Sequence, residues 1–377
     1  TWAVDTGFIV FNDWTYPNFI AMLTELGVAW QPSDMSFSLR CERSGLEYNG
    51  TSLNSLFAQR RNLVRPSFLR MIADILRFNA RSRELLATLD DSLTLGEYLD
   101  RGGYSRQFIE HYVVPMGRAI WSAEASAMLG FPARFFVDFF DRHGFLSVDE
   151  RPVWQTVRGG SREYVRALLA AARIDLRLAT PVESIRRLPD GVRVRTRRGD
   201  VEGYDHVFLA CHSDQALRLL ETPTAAEAEV LRAFPYASNE VILHTDQRLL
   251  PRRTLARAAW NYHLLADPQE PVAVTYDMNV LQALEAPVRF LVTLNNRAAI
   301  DERQVLRSFS YDHPVYSPRA VAAQQRHREL NGAARSYFCG AYWRCGFHED
   351  GVVSAQAALA HFSEDLGRAQ LPLRRVG

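Results

Sequence analysis

Hydrophobic and polar residues follow two different periods along this chain, and the switches between them mark its elements. In TYPNFIAMLTELG, Tyr16, Phe19, Ile20, Leu23 and Leu26 recur at helical spacing, and Gly27 fits the left-handed cap that ends a helix. DMSFSLRC changes to period two, with Met35, Phe37, Leu39 and Cys41 on one side of a half-buried strand. From Pro66 to about Arg142 the helical period dominates. Thr94 and Glu97 in TLGEYL form a capping-box pair, and FPARFFVDFF reads as an aromatic-rich helix. This block has no nucleotide-type turn and is expected to form a substrate or lid region.

The texture changes again at PVWQTVRGGSREYVRALLAAA: a strand, a glycine pair, and a helix with Ser161 placed to cap it. IDLRL, VESIRRL, VRVRTR and HVFLAC follow at short intervals, with Asp190-Gly191 as a hairpin signal. EVILHT, AAWNYHLL, VAVTYDM, RFLVTLN and QVLRSFSY predict a large antiparallel sheet. The final unit, RSYFCGAYWRCGFHEDGVVSAQAALAHFSEDL, reads as strand, glycine-rich turn and amphipathic helix, with Val352, Leu359, Phe362 and Leu366 inward. The opening TWAVDTGFIVFN reads as a strand end, Trp2–Val4, running into a tight turn at Asp5-Thr6-Gly7. Both ends of the chain therefore look like pieces of a nucleotide-binding α/β domain, with other material between them.

Composition narrows the chemistry. The 377 residues are 47% hydrophobic and 23% charged, enough for two domains with cores of their own. A net charge of +1 shows no bias toward nucleic acid. All 44 basic residues are arginine, which excludes Schiff-base chemistry and a P-loop lysine. Cys41, Cys211, Cys339 and Cys345 have neither C-x-x-C nor zinc-ligand spacing, and this usage fits a reducing cytosol. No apolar run reaches the roughly 18 residues of a membrane span, and no signal peptide is recognisable. A cytoplasmic location is expected, with any lipid substrate met from the water side.

CGAYWRCGFHEDGVV carries the most chemistry. A strand ends at Cys339, and the carboxyl end of such a strand is where open α/β sheets place ligands. Gly340 would let an anion approach the backbone, and the helix beginning near Gly351 turns its positive end to the same place. An ordinary glycine-bearing turn capped by Asp350 would show the same pattern. DHVFLACHSDQAL brings Cys211 and His212 to a second strand edge that could adjoin this cleft. His111, His212, His263, His313 and His348 are scattered without metal-cage spacing, so no metal is expected. His348 stands apart because it lies in the glycine-rich turn beside Glu349. The aromatics of WNYHLL and TYDM read as core or pocket lining, and no G-x-S-x-G elbow points to a hydrolase.

In this order, VDTGFIVFND, PVWQTVRGGS, WNYHLL, VTYDMN, HPVY and FCGAYW with GFHEDG resemble the flavin-dependent amine oxidase and phytoene desaturase superfamily. More narrowly, the chain is similar to bacterial predicted NAD/FAD-binding oxidoreductases associated with cyclopropane-fatty-acid synthases. The resemblance covers nearly the whole chain. Proteins of that family begin with a strand, a G-x-G-x-x-G turn and a helix that cradle the FAD pyrophosphate. No G-x-G-x-x-G occurs in this sequence, and a unit of roughly 40 residues is expected ahead of TWAVDTGF.

The resemblance implies an α/β fold with a Rossmann-like FAD/NAD(P)-binding domain, incomplete at its N-terminus, from residues 1–30, 152–234 and 333–377. Residues 31–151 and 235–332 would form a discontinuous α+β substrate domain of mixed sheet plus helices. FAD is the implied cofactor. Thr6 and Gly7 would lie near the flavin or ribityl chain, and Val182 would meet adenine through its backbone. Gly340 with Glu349, Asp350, Gly351 and Val352 would face pyrophosphate, ribityl and flavin. His348 and Glu349 are the candidates for proton transfer or tuning. The family pattern has a glycine and an aromatic residue where this chain has Arg344-Cys345, and a bulky Arg344 would alter the turn or occupy substrate space.

Amine oxidases of the superfamily hold a lysine near the flavin, and this chain has none. The expected reaction is hydride abstraction, a desaturation or oxidation, from a lipid or other hydrophobic substrate, with the block 66–142 forming an apolar entrance. Two readings stay open beside it: a flavin-free binding or scaffold protein, and an amine or amino-acid oxidase. The expected partners are the hydrophobic substrate and a transient membrane surface, placing the protein at the periphery of the inner membrane, with no nucleic acid.

Overall fold

A strand persists only where its backbone finds partners, and that rule sorts the expected elements. A computed structural model describes residues 1–88, 92–121, 125–267 and 273–369. The fold is mixed α/β. It divides into two compact units, Thr1–Ala172 with Tyr236–His313, and Arg173–Pro235 with Pro314–Gly377.

The first unit is built on a seven-stranded sheet. Its order is Val305–Pro314, Tyr236–His244, Leu291–Leu294, Ala273–Asp277, Trp260–Leu264, Phe37–Cys41 and Glu47–Asn49. From Tyr236–His244 onward the pairings are antiparallel, except that Trp260–Leu264 runs parallel to Phe37–Cys41. The expected antiparallel sheet is therefore a mixed one. A parallel pair needs a long crossover, and more than 200 residues separate these two strands in the chain.

The register sorts side chains by face. Phe37, Trp260, Tyr276, Val292 and Leu243 stand opposite one another across five strands, and Leu39, Tyr262, Val274, Leu294 and Val241 form the next row on the same face. The other face carries Ser38, Asn261, Thr275 and Thr293 in register, all 2% exposed or less. Period-two alternation reads Phe37, Leu39 and Cys41 as inward but misses Ser38, which is buried because Asn261 accepts its hydroxyl proton at 2.9 Å.

A smaller sheet places Trp154–Val157 between Phe11–Asn12 and Trp30–Pro32, antiparallel to both. Trp2–Val4, expected as a strand end, is irregular, and the first paired residues are Phe11–Asn12. Gly27 ends the helix Pro17–Glu25 as expected, at φ +65°, with the Val28 N–H reaching the Leu23 carbonyl at 2.9 Å. The helical block contains Pro66–Arg81, Leu95–Arg101, Val114–Trp121 and Ala133–Arg142. Its capping box forms: Glu97 Oε2 accepts the Thr94 N–H at 3.0 Å, and Thr94 Oγ1 accepts the Glu97 N–H at 3.3 Å. Aromatic rings fill its interior, with Phe136 and Phe140 stacked at 4.1 Å between centroids.

The second unit contains a three-stranded meander, Val182–Leu188, Gly191–Thr196 and Val201–Tyr204. Leu188 pairs with Gly191, so the hairpin turn is Pro189-Asp190, one residue earlier than expected. Val207–Leu209 and Ser336–Phe338 pair in parallel, and the helix His348–Ala369 follows the latter. Beyond its first turn Ser354 and Ala358 are its buried positions, and Ala355 and Phe362 pack with Tyr337, Cys339 and Ala358. Leu359, expected inward, is 53% exposed. Small residues mark the buried row beyond the first turn of this helix, so hydrophobicity alone places Phe362 inward correctly but misplaces Leu359.

The unit bounds differ from the expected domain bounds. Residues 1–30 and 152–172, expected with the cofactor domain, pack within the first unit because their strands pair with one another there.

Candidate functional site

The parallel pair in the second unit fixes one strand edge. Phe338 stands opposite Leu209, and the Cys339 N–H continues the ladder to the Leu209 carbonyl at 3.1 Å. Cys211-His212 and Gly340 therefore leave the sheet at the same edge, as their positions after two apolar strands suggest. Burial pushes the thiols of Cys211 and Cys339 up, which makes both poor nucleophiles.

Beyond Cys339 the chain makes a short 3-10 turn, Ala341–Trp343, before the helix. A Cβ on Gly340 would lie 2.5 Å from Cε1 of Tyr342, so the close approach at this glycine is made by that ring. The Gly340 N–H donates to Ser354 Oγ at 2.8 Å, and Ser354 donates to the Gly351 carbonyl at 2.9 Å, tying the turn to the helix start. Gly346 takes φ +92°, and a Cβ there would meet Tyr316 Oη at 2.7 Å.

The first turn of the helix buries two acids, Glu349 at 6% and Asp350 at 7% exposure. Asp350 accepts the Phe347 N–H at 2.9 Å and caps the helix. Burial pushes its carboxyl up to about 6, against the pull of that N–H and of Arg344. Burial drives His348 the other way, down to about 4, so its imidazole is neutral at pH 7. Arg344 is turned toward the helix start, with Nε 3.5 Å from Asp350. Two titratable groups two residues apart thus have their protonation pushed in opposite senses, the arrangement acid–base sites use. Val182 begins the meander, half-buried, opposite Thr196.

Thr6 and Gly7 lie in the first unit, in a bend organised by Asp5, the first residue of the expected turn. Its carboxylate accepts the Ser161 N–H at 3.0 Å, the Ser161 hydroxyl at 3.2 Å and Gln282 Nε2 at 3.0 Å. Its own N–H donates to Gln282 Oε1 at 2.9 Å. Burial still leaves the Asp5 carboxyl raised, despite the two bonds from Ser161. Ser161, expected as a helix cap, makes no cap bond because its hydroxyl serves Asp5 and the Phe8 carbonyl instead. Thr6 Oγ1 is 2.8 Å from Tyr311 Oη, and a Cβ on Gly7 would meet nothing within 4 Å.

The same unit holds two further features. On the apolar face of the large sheet, Phe37, Trp260 and Tyr276 form a cross-strand row, with Trp260 and Tyr276 edge-to-face at 4.9 Å. Phe37 and Trp260 are half-buried rather than sealed, and the Trp260 indole N–H has no partner among the described residues. Alternation in WNYHLL and TYDM was the signal for this row. Cys41 ends the strand Phe37–Cys41. Burial raises its thiol, but hydrogen bonds with His111 and Ser44 outweigh that and bring it down to about 7. It lines a cavity of about 330 Å³ with Arg40, Glu42, Glu47, Arg252 and Arg253. No local sequence signal joins Cys41 to His111, which lie 70 residues apart. Among the described residues no group of His, Cys, Asp and Glu could hold a metal ion.

A model of the family described as flavin containing amine oxidoreductase matches residues 2–287. Among solved structures, the fold is similar to the CLA-producing fatty acid isomerase from P. acnes, at 14% identity and a TM-score of 0.68 over 95% of this chain and 86% of that one. It is similar to cyclohexylamine oxidase from Brevibacterium oxydans IH-35A, at 14% identity and 0.67 over 97% and 88%. A putrescine oxidase variant follows at 13% and 0.66 over 96% and 90%. At these identities the likeness is one of fold. No curated protein sequence matches the chain.

The helix start of the second unit fits a phosphate-bearing, ring-containing cofactor. The indole N–H of Trp343, in a side chain only 4% exposed, has no hydrogen-bond partner among the described residues. A Cβ on Gly351 would meet nothing within 4 Å, and a 22-residue helix directs its positive end there.

Proposed function

We propose, from the premise that this chain belongs to the family of flavin containing amine oxidoreductases and is an FAD-dependent oxidoreductase, that it abstracts hydride from a C–H bond of a lipid or similarly apolar substrate. The observation that carries this reading is the row Phe37, Trp260 and Tyr276, the first two half-buried and the third buried, continued by Val292 and Leu243. Neither this row nor the one beside it contains an ionisable group other than a tyrosine. Such a wall favours an acyl chain by burying its surface, and it offers no counter-charge to an ammonium group.

In this reading Gly340, Trp343 and the turn Glu349–Val352 would hold the pyrophosphate and ribityl of FAD, and Val182 its adenine. FAD, when bound, supplies the acceptor for the hydride. The chain's own part is placement and proton management. Neutral His348 keeps one imidazole nitrogen as a proton acceptor, and Asp350, half-protonated near pH 6, can hold or pass a proton beside it. Asp5 fixes the Thr6-Gly7 bend through Ser161 and Gln282, so that turn is pre-formed.

The test is anaerobic reduction of the FAD-loaded protein, followed by loss of its visible flavin band. An unsaturated fatty acid is expected to bleach the flavin and primary amines to leave it unchanged. Trp260→Ala should lower kcat/KM for the fatty acid about tenfold or more. Bleaching by amines and not by fatty acids would replace this reading with amine oxidation.

A further inference from the structure

The helix Pro66–Arg81 is apolar on two sides. Phe68, Met71 and Phe78 face the core of the first unit, fully buried. The opposite stripe is Pro66, Leu69, Ala73, Leu76 and Ala80, at spacings of three and four residues, and all five are exposed. Leu69 is 43% and Leu76 54% exposed. The segment leading into the helix adds Leu53 at 76%, Leu63 at 51% and Val64 at 81%. An amphipathic helix that only packed on its core would show water a polar outer face.

Charge sets this surface apart from the rest of the chain. Between Leu53 and Arg81 the sequence holds six arginines, Arg60, Arg61, Arg65, Arg70, Arg77 and Arg81, and one acid, Asp74. Asp74 points inward, its side chain 2% exposed, where it accepts the Ser105 N–H and pairs with Arg70 and Arg77. The segment therefore carries +5 in a chain of net +1. On a helical projection Arg70, Arg77 and Arg81 fall along one flank of the apolar stripe. At its leading end Arg61 and Arg65 line a surface hollow with Ser44, Val64 and Pro66. The Arg65 guanidinium has no partner among the described residues. Apolar side chains that project beside guanidinium groups are what an anionic bilayer surface selects, since the leucines enter the acyl boundary while the arginines meet phosphates.

We propose that the outer face of Pro66–Arg81, with Leu53, Leu63 and Val64, docks this protein on an anionic membrane surface. No helix among the described residues is long and apolar enough to cross a membrane, so the contact is one that lies on the bilayer. The inference rests on exposure and charge in the first unit and stands whether or not the substrate is a lipid.

Co-sedimentation of the full FAD-loaded chain with vesicles tests it without any turnover. Binding is expected on phosphatidylcholine vesicles containing about a third phosphatidylglycerol, and about tenfold weaker binding on phosphatidylcholine alone or in 0.5 M salt. The double variant Leu69→Gln/Leu76→Gln should lose about tenfold in binding, since glutamine keeps the helix but removes the apolar stripe. Arg61→Gln/Arg65→Gln should bring anionic and neutral vesicles close to parity. Leu359→Gln, an exposed leucine of the second unit, should change nothing. Equal binding of parent and Leu69→Gln/Leu76→Gln would overturn the proposal. So would a parent that ignores vesicles and self-associates through this face, seen by light scattering as a dimer that the same variant dissociates.

Discussion

The large sheet of the first unit and the helix start of the second both bury polar side chains, and they treat them in opposite ways. On the sheet, Asn261 accepts from Ser38 Oγ and the Ala258 N–H, each at 2.9 Å, and donates to the carbonyls of Ala258 and Thr275. Thr275 Oγ1 lies 2.8 Å from Thr293 Oγ1, and Thr293 is 2.7 Å from His244 Nε2. The Asp246 N–H donates to His244 Nδ1, which places the imidazole proton on Nε2 and makes Thr293 its acceptor. Burial holds His244 down at about 4, so this row is neutral and closed. At the helix start, an indole N–H has no partner, an acid is raised and a histidine lowered. Buried polarity alone therefore does not mark a site: a completed network specifies the fold, and an incomplete one beside open space is where a ligand finishes the bonding.

The sharpest way to break this contrast is to open the closed row. Asn261→Leu would strand Ser38 Oγ, the Ala258 N–H and two carbonyls, and should destabilise the protein by about 3 kcal/mol or more in urea unfolding. A loss under about 1 kcal/mol would mean that water already reaches this face of the sheet.

A smaller effect should appear as pH dependence at the helix start. The folded pKa of Asp350 is raised to about 6 from an unfolded value near 3.8, so the folded state binds the proton more tightly. Its contribution is present below pH 3.8 and lost as pH rises to 6. Asp350→Asn should therefore gain on the parent by about 2 kcal/mol between pH 4 and 6.5, and keep that advantage above. His348 works with the opposite sign. Its folded value of about 4 lies below the unfolded 6.5, so its contribution is present above pH 6.5 and lost toward pH 4. His348→Gln should consequently gain on the parent as pH falls through that window. Parallel stability–pH curves for parent and variants would put both groups in contact with solvent and end the comparison.

The smallest expected change is Ser38→Ala. Asn261 Oδ1 keeps its bond from the Ala258 N–H, so the loss should be about 1 kcal/mol, and urea midpoints can read it. A larger loss would show that the row acts cooperatively rather than bond by bond.

Much of this protein is settled by local chemistry that the sequence displays. Six strands of the seven-stranded sheet (all but Glu47–Asn49), the Gly27 cap, the Thr94–Glu97 box and the turn after Cys339 are legible because each depends on residues within a few positions of one another. The family was legible for the same reason, as ordered blocks such as VDTGF, WNYHLL and GFHEDG. What only the tertiary structure decided depends on distant partners. Asp5 meets Ser161 across 156 residues, Ser38 meets Asn261 across 223, and Cys41 is governed by His111. No period or propensity couples such positions. The outer face of Pro66–Arg81 belongs to the same class: a pattern of Leu, Ala and Arg shows that a helix forms, but which apolar side meets the core is decided by the packing of Phe68, Met71 and Phe78.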